Sequence, residues 1–150
     1  MVMNMNVEKY MKIAINEAKK AFKKNEVPVG AVIVKNGKII AKAYNKKESS
    51  NIATSHAEIL AINKACKKTK NWRLIDCTIY VTVEPCMMCF GAILESRMSK
   101  IVYGTTNDNY GYISKNKINN NIQIEGNVYE EECKKLIKLF FENKRKNPSK

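Results

Sequence analysis

The sequence predicts an α/β domain in which helices pack against a mixed β-sheet. Apolar residues recur at helical spacing in several segments, and short runs of β-branched residues lie between those segments. Because helices and strands alternate along the chain, we expect a layered arrangement of the two. A length of 150 residues is ordinary for one domain with a sizeable core, so we expect a single domain over residues 1–150.

The first half of the chain predicts a helix followed by a β-hairpin. Helical spacing of apolar residues extends over Val7–Asn25. The β-branched run Val27–Val34 is typical of a buried strand, and Asn36-Gly37 accepts the positive φ angles of a two-residue turn. Ile39–Tyr44 is the expected return strand, and a polar loop follows as far as Ser50.

The second half predicts further helices and strands. A helix is expected over Thr54–Thr69, with Thr54 or Ser55 as its N-cap and Glu58 in its first turn. The polar stretch Thr105–Asn121 predicts a long loop with one short helical turn. The other expected elements are strand Asp76–Val83, helix Cys86–Ser96 with Pro85 at its first turn, strand Lys100–Tyr103, a short strand at Ile122–Ile124, helix Glu130–Lys144, and a flexible basic tail over residues 145–150.

The formal net charge of +13 favours an anionic partner such as nucleic acid. The basic residues are mostly lysine, and asparagine is also abundant. A codon bias could produce that mixture without any ligand. The charge therefore supports RNA binding but does not by itself establish it.

The cysteine content and the N-terminal segment predict a cytoplasmic protein. An odd count of five cysteines, without a recognisable signal sequence, argues against a disulfide framework. We expect Cys66, Cys77 and Cys133 to be small buried apolar side chains. No segment approaches the ~20 apolar residues of a membrane span, so we expect no membrane partner.

Two short segments carry the residues from which a reaction can be argued. The first is Ser55-His56-Ala57-Glu58, and it contains the sole histidine of the chain. The second is Glu84-Pro85-Cys86-Met87-Met88-Cys89. One imidazole and two thiolates make three protein ligands for zinc, and they leave a fourth tetrahedral position open, as in catalytic zinc sites. The combined pattern H-x-E and P-C-x-x-C is the signature of zinc nucleobase deaminases.

The spacing of these residues predicts where the metal lies. His56 and Glu58 are two residues apart and do not share a helix face, so a common metal must lie at the N-terminus of their helix. Cys86 and Cys89 are three apart and do share a face, again at a helix start. Zinc lowers the pKa of bound water towards ~7, and Glu58 is the candidate acid and base for the proton transfers.

Each of these residues also has an ordinary structural explanation when it is taken alone. Cys86-x-x-Cys89 could be half of a structural metal site, His56 a core histidine, and Glu58 a residue that compensates the helix dipole. Their combination favours zinc-dependent hydrolysis. No second histidine exists to complete a different metal site or a Cys–His nucleophilic pair.

The sequence resembles the bacterial tRNA-specific adenosine deaminases over nearly its whole length. The zinc motif is common to a larger superfamily, and the other shared segments narrow the resemblance to this family. Those segments are Glu26–Val32, Asn45, Asn71–Leu74, Gly91–Ile93 with Ser96-Arg97, Val102–Gly104, Glu131–Cys133 and Phe140-Phe141. The resemblance implies a three-layer α/β/α cytidine deaminase-like fold with a mixed five-stranded sheet, one Zn²⁺ per subunit, and a homodimer.

The resemblance also implies conversion of adenosine to inosine at the wobble position of a tRNA anticodon, chiefly of an arginine tRNA. His56, Cys86 and Cys89 match the zinc ligands, and Glu58 matches the residue that transfers protons. Three residues match the pocket that holds the flipped nucleoside: Asn45, Val29 and Ala57. The candidates for contact with the tRNA anticodon stem-loop are Tyr110, Tyr112, Phe140, Phe141, Lys144 and Arg145.

Two segments depart from the family's pattern. The family commonly has Asp-Pro before a Thr-Ala-His-Ala-Glu segment, where this chain has Asn51-Ile52-Ala53-Thr54-Ser55-His56. In the run after Gly104, only Gly111 is readily matched to the family's pattern. The divergent loop Thr105–Ile118 leaves a competing hypothesis, a deaminase of small guanine or cytidine compounds. A further alternative is a catalytically silent, zinc-stabilised RNA-binding module, against which the presence of Glu58 argues.

Overall fold

The structure, a computed structural model, describes residues 5–118 and 120–147. Its helices are α1 (Met5–Lys23), α2 (Lys47–Ser50), α3 (Ala57–Thr69), α4 (Met87–Glu95) and α5 (Glu130–Lys146). Its strands are β1 (Gly30–Lys35), β2 (Lys38–Tyr44), β3 (Cys77–Val83), β4 (Lys100–Thr105) and β5 (Gln123–Glu125). A 3-10 turn at Ile113–Lys115 is the short helical turn expected in the loop after β4. Residue 119 of that loop and residues 148–150 of the predicted tail lie outside the described residues.

The strands form one mixed sheet in the order β2-β1-β3-β4-β5. Strand β1 is antiparallel to both β2 and β3, whereas β3, β4 and β5 run parallel to one another. The β1–β2 turn places Asn36 and Gly37 at φ angles of 50° and 74°, as the Asn-Gly pair predicts. The prediction of a mixed five-stranded sheet is confirmed.

Helices cover both faces of this sheet. Consecutive side chains of a strand point to opposite faces, so an apolar strand presents apolar side chains to helices on both sides. Val32 of β1 packs in a cluster with Met11 of α1. Its neighbour Ile33 packs in a second cluster with Ile62 of α3 and Ile93 of α4. The two clusters are the two interfaces of a three-layer α/β/α domain, and the second lies beneath the two motif-bearing helices.

Helix α3 begins later than its sequence predicts. Its N-cap is His56, which makes no side-chain capping bond, so the prediction of a Thr54 or Ser55 cap was wrong. Ser55 is buried in the turn before the helix, where its N–H donates to the Ile52 carbonyl at 3.1 Å. Its own carbonyl accepts from the Lys46 N–H at 3.0 Å. The turn bond to Ile52 and the longer-range bond to Lys46 hold Ser55 outside the helix.

Helix α4 also begins one residue late, at Met87, with Cys86 as its N-cap. Pro85 therefore precedes the cap and is not in the first turn. The cause is pairing of the backbone before the helix: the Pro85 carbonyl accepts the Tyr112 N–H at 3.1 Å, and Cys86 forms an isolated antiparallel bridge with Gly111.

The polar loop predicted after β2 contains the helical turn α2. The carboxylate of the buried Glu26 accepts the backbone N–H groups of Glu48 at 2.9 Å and Ser49 at 2.5 Å. A helix of one turn has no carbonyl groups that can accept from these N–H donors, so the Glu26 carboxylate supplies the acceptors.

None of the helices in the described part of the chain combines the length and the apolar character that crossing a bilayer requires.

Candidate active site

Two helix N-termini meet at one point, and each carries a donor atom there. His56 is the N-cap of α3, and Cys86 is the N-cap of α4. The Nδ1 atom of His56 lies 3.7 Å from the Cys86 Sγ and 3.5 Å from the Cys89 Sγ. All three donor atoms lie within 4.8 Å of one another. The convergence that the spacing predicts is thus present.

The separations of these donors fit a tetrahedral zinc ion. Bonds of ~2.3 Å to sulfur and ~2.0–2.1 Å to nitrogen, at a tetrahedral angle, place the two donor atoms ~3.5–3.6 Å apart. The distances from the His56 nitrogen to the two sulfur atoms lie at that value or within ~0.2 Å of it. The donor set of one imidazole and two sulfurs is also the one zinc prefers, with one tetrahedral position left over.

The carboxyl group of Glu58 lies beside the sulfur atoms and is almost inaccessible. Glu58 stands in the first turn of α3 with 4% of its surface exposed. Burial raises the pKa of Glu58 to about 7, because an apolar environment disfavours the charged carboxylate. Interaction with the Cys89 side chain acts in the opposite direction and lowers the pKa of Glu58. A carboxyl with a pKa near neutrality is well suited to accept and return protons.

The pKa values of the two cysteines are shifted in opposite directions. A hydrogen bond from the Cys89 thiol lowers the pKa of Cys86 to about 4, and a further bond from His56 acts in the same direction. The same bond to Cys86 raises the pKa of Cys89 above its usual range. The hydrogen bond to Cys86 also raises the pKa of His56. A cation held among these three groups favours deprotonation of both thiols.

Backbone hydrogen bonds connect Asn45 and Val29, two of the residues expected to bind the nucleoside, to each other and to the segment before His56. Asn45 is buried directly after β2, and its backbone N–H donates to the Val29 carbonyl at 3.1 Å. Ala57, next to His56, is fully buried. The Lys46–Ser55 backbone bond joins the segment after Asn45 to the segment before His56.

The residues expected to contact RNA fall into two groups. Tyr110 is 75% exposed, and Phe141 and Arg145 are also exposed. The other three point inward or are half-covered. Tyr112 stacks on the Phe90 ring with centroids 5.1 Å apart, Phe140 is buried against Phe22, and the Lys144 ammonium lies over the Phe140 ring.

Sequence reasoning missed the role of two buried glutamates, Glu26 and Glu84. Glu26 holds α2, as described above, and Glu84 is 2% exposed immediately before Pro85. Their position in the sequence could have indicated that they are buried, since each is an acidic residue directly beside a β-branched run that forms the core. A buried carboxylate there requires hydrogen-bond donors from elsewhere in the chain.

The chain is similar to known deaminases in sequence and in fold. Residues 5–145 match the family model of the MafB19-like deaminases. A tRNA-specific adenosine deaminase of Bacillus subtilis is 44% identical over 146 residues, which covers 93% of this chain and 91% of the relative. A solved structure from a study of A-to-I editing by tRNA A34 deaminases superposes with a TM-score of 0.80 at 32% identity, covering 85% of this chain and 98% of the other.

A solved guanine deaminase of Bacillus subtilis is also similar, with a TM-score of 0.64 and 42% identity, covering 69% of this chain and 66% of the other. The identity to the adenosine deaminase extends over much more of the chain. The predicted resemblance and the predicted deaminase fold are therefore confirmed. This chain belongs to the family of tRNA-specific adenosine deaminases.

Proposed function

We propose that this protein hydrolyses adenosine to inosine at the wobble position of a tRNA anticodon, with zinc as its metal. The observation that carries the proposal is the group of His56, Cys86 and Cys89 donors with the buried Glu58 carboxyl beside it. The relatives at 40–44% identity are named tRNA-specific adenosine deaminases, which supports adenosine in tRNA as the substrate.

His56, Cys86 and Cys89 would hold one Zn²⁺ per subunit. Zinc in such a site supplies Lewis-acid activation of a water molecule near neutral pH. Two thiolates balance the charge of the ion, and the positive ends of α3 and α4 stabilise those thiolates. A neutral, buried site of this kind avoids an uncompensated charge in the core.

Glu58 would move every proton that the reaction requires. Its carboxylate oxygen takes a proton from the attacking water as the new C–O bond forms at C6 of adenine, and it delivers that proton to the ring nitrogen N1. A second proton passes through the same oxygen to the departing amine. The C6–N bond then breaks, and the products are inosine and ammonia. A pKa of about 7 allows Glu58 to act in both directions.

The adenosine must leave the base stack to reach this buried group. We assign Asn45 to hold the flipped nucleoside through its side-chain amide, with Val29 and Ala57 as apolar walls. Asn45 sits at a fixed place because its backbone is bonded to Val29. This arrangement would orient C6 towards the open position of the metal site.

The anticodon stem-loop would lie across the exposed and basic surface near α5. The net charge of +13 favours a polyanion, and Phe141, Lys144 and Arg145 lie on the last turns of that helix. Tyr110 could stack on a base. We further propose a single domain over residues 1–150, an arginine tRNA as substrate, a homodimer, and a cytoplasmic location.

The test is incubation of the zinc-loaded protein with a synthetic arginine-tRNA anticodon stem-loop, followed by a readout of inosine. The wild type should convert the wobble adenosine, and Glu58→Ala should not. Glu17→Ala is a matched control, since Glu17 is another buried glutamate, paired with Lys20 on α1. Zinc bound without conversion would reject the proposal.

The likeness to a guanine deaminase supports a second candidate, deamination of a small guanine or cytidine compound. The same preparation should therefore be given guanine and cytidine. Ammonia release from either, with the stem-loop left unchanged, would favour this second candidate. Conversion of the stem-loop alone would exclude it.

A further inference from the structure

Residues 106–116, which we name the flanking loop, lie against the segment that carries Cys86. Gly111 forms the antiparallel bridge with Cys86, and the Tyr112 N–H donates to the Pro85 carbonyl at 3.1 Å. The Tyr112 ring stacks on Phe90 in the first turn of α4. The loop therefore packs against the segment that carries the donor Cys86, although the loop's sequence departs from the family's pattern.

Glu84 holds the flanking loop in place through hydrogen bonds. Its carboxylate accepts the Asn107 N–H at 3.1 Å, the Ser114 N–H at 2.6 Å and the Ser114 hydroxyl at 2.9 Å. All three donors belong to the flanking loop, and they approach from both of its ends. Glu84 is only 2% exposed, and among the ion pairs of the described residues none includes it. A buried carboxylate needs such donors, so burial of Glu84 and closure of the loop depend on each other.

The loop backbone packs so tightly on the carboxylate that a side chain does not fit between them. A Cβ atom placed on Gly111 would overlap the Glu84 carboxylate and the Asn107 carbonyl, the latter at 2.6 Å. Asn107 also folds the loop on itself, since its side-chain oxygen accepts the N–H groups of Asn109 at 3.3 Å and Tyr110 at 3.1 Å. Tyr110 is thereby held at the loop's exposed tip with 75% of its surface accessible.

We propose that Glu84 is a positioning residue that fixes the flanking loop on the Cys86 segment. Through the loop, Glu84 would determine how tightly RNA binds next to the reacting adenosine. This inference rests on the function proposed above. Among the described residues, the hydrogen-bond partners of the Glu84 carboxylate are Asn107 and Ser114 of the flanking loop, so Glu84 acts through that loop. Its effect falls on RNA binding, through the placement of Tyr110, whose ring can stack on a neighbouring base.

Amide hydrogen exchange tests the structural half of this inference without any substrate. Glu84→Gln keeps the size of the side chain but places an amide donor against the donors of the loop. We expect exchange at Asn107, Gly111 and Ser114 to quicken by about tenfold or more, as for a lost hydrogen bond to a charged group. Glu26→Gln is the matched control, because it should loosen Glu48 and Ser49 instead. Wild-type protection of the loop in Glu84→Gln would overturn the inference.

Kinetics with the anticodon stem-loop test the functional half. We expect Glu84→Gln to raise KM by about tenfold while kcat stays within about twofold and one zinc remains bound per chain. Ser114→Ala should raise KM less, and the double variant should be no worse than Glu84→Gln, since both changes break one network.

An unchanged KM with a lower kcat and a missing zinc ion would overturn the inference, because the carboxylate would then act on the metal ligands. Additive effects of the two substitutions would overturn it as well. A wild type that leaves the stem-loop unchanged would reject the proposed function instead, and the exchange experiment would still decide whether Glu84 holds the loop.

Discussion

His56 Nδ1 lies 3.5 Å from the Sγ of Cys89, although 33 residues separate the two in the chain. The contact exists because α3 and α4 begin at neighbouring places on the same face of the sheet. The first residues of each helix carry a donor atom. The distance between the His56 nitrogen and the Cys89 sulfur is the one that two ligands of a tetrahedral zinc ion require.

Replacement of a metal ligand should remove the zinc and part of the stability. We expect Cys86→Ala to reduce bound zinc from one per chain to nearly none, because two remaining protein ligands bind zinc weakly. The unfolding temperature should fall to that of the chelated wild type, since a ligand bound to the native state alone stabilises it. Zinc stoichiometry and thermal unfolding measure both effects. Cys66→Ala is the control, because Cys66 is a half-buried cysteine that is not part of the donor group, and this variant should keep its zinc.

Glu58→Gln should separate chemistry from metal binding. The amide keeps the volume of the carboxyl but cannot carry protons between water, base and leaving group. We expect kcat to fall by about 10²–10⁴-fold, the usual contribution of a general acid–base group, with zinc still bound. Single-turnover conversion of the stem-loop gives the rate, and metal analysis gives the zinc content. A variant that loses its zinc together with its activity would show that Glu58 is needed to build the centre.

The close approach of β1 to α1 predicts a large effect at Gly30. A Cβ atom there would overlap the Ala14 carbonyl and the Ala18 backbone nitrogen of the helix. We expect Gly30→Ala to lower the free energy of unfolding by about 1–3 kcal/mol, because the packed backbone must shift. Urea unfolding of the zinc-loaded protein measures this.

Gly91 is the matched control, since it is exposed inside α4 and a Cβ atom there meets nothing within 4 Å beyond its neighbours and the backbone of its own helix. Gly91→Ala should raise the free energy of unfolding by about 0.5–1 kcal/mol, because alanine restricts the unfolded chain. Equal destabilisation by the two substitutions would contradict the close-approach argument.

Basic residues at the end of α5 should contribute to affinity by neutralising phosphate groups. We expect Arg145→Ala to weaken stem-loop binding. The slope of log Kd against log salt concentration should fall by about 0.7–0.9 for each phosphate that the variant no longer neutralises. Titrations of fluorescent stem-loop at several salt concentrations measure the slope. Lys38→Ala removes an exposed charge at the β1–β2 hairpin, at the far end of β1 from Val29, and should leave the slope unchanged.

Local chemistry accounts for what sequence reasoning found in the site. The donors, their spacing and the glutamate two residues from His56 are properties of short segments, and helix geometry converts that spacing into a position at a helix N-terminus. The alternation of helices and strands similarly predicted the layered fold and the mixed sheet. The helix boundaries were less accurate, because backbone bonds from Ile52, Lys46 and Gly111 hold Ser55 and Cys86 outside the helices.

The amino-acid sequence by itself determined which groups can bind zinc and which can move protons, because those are properties of single side chains at local spacing. Only the tertiary structure decided which residues face solvent and which partners they take. Tyr112 and Phe140 turned inward onto other rings, whereas Tyr110 stayed exposed. Glu84 became the anchor of the flanking loop, which follows it in the chain only after α4 and β4. The physical reason is that burial and hydrogen-bond partners depend on contacts between distant segments, which no local pattern contains.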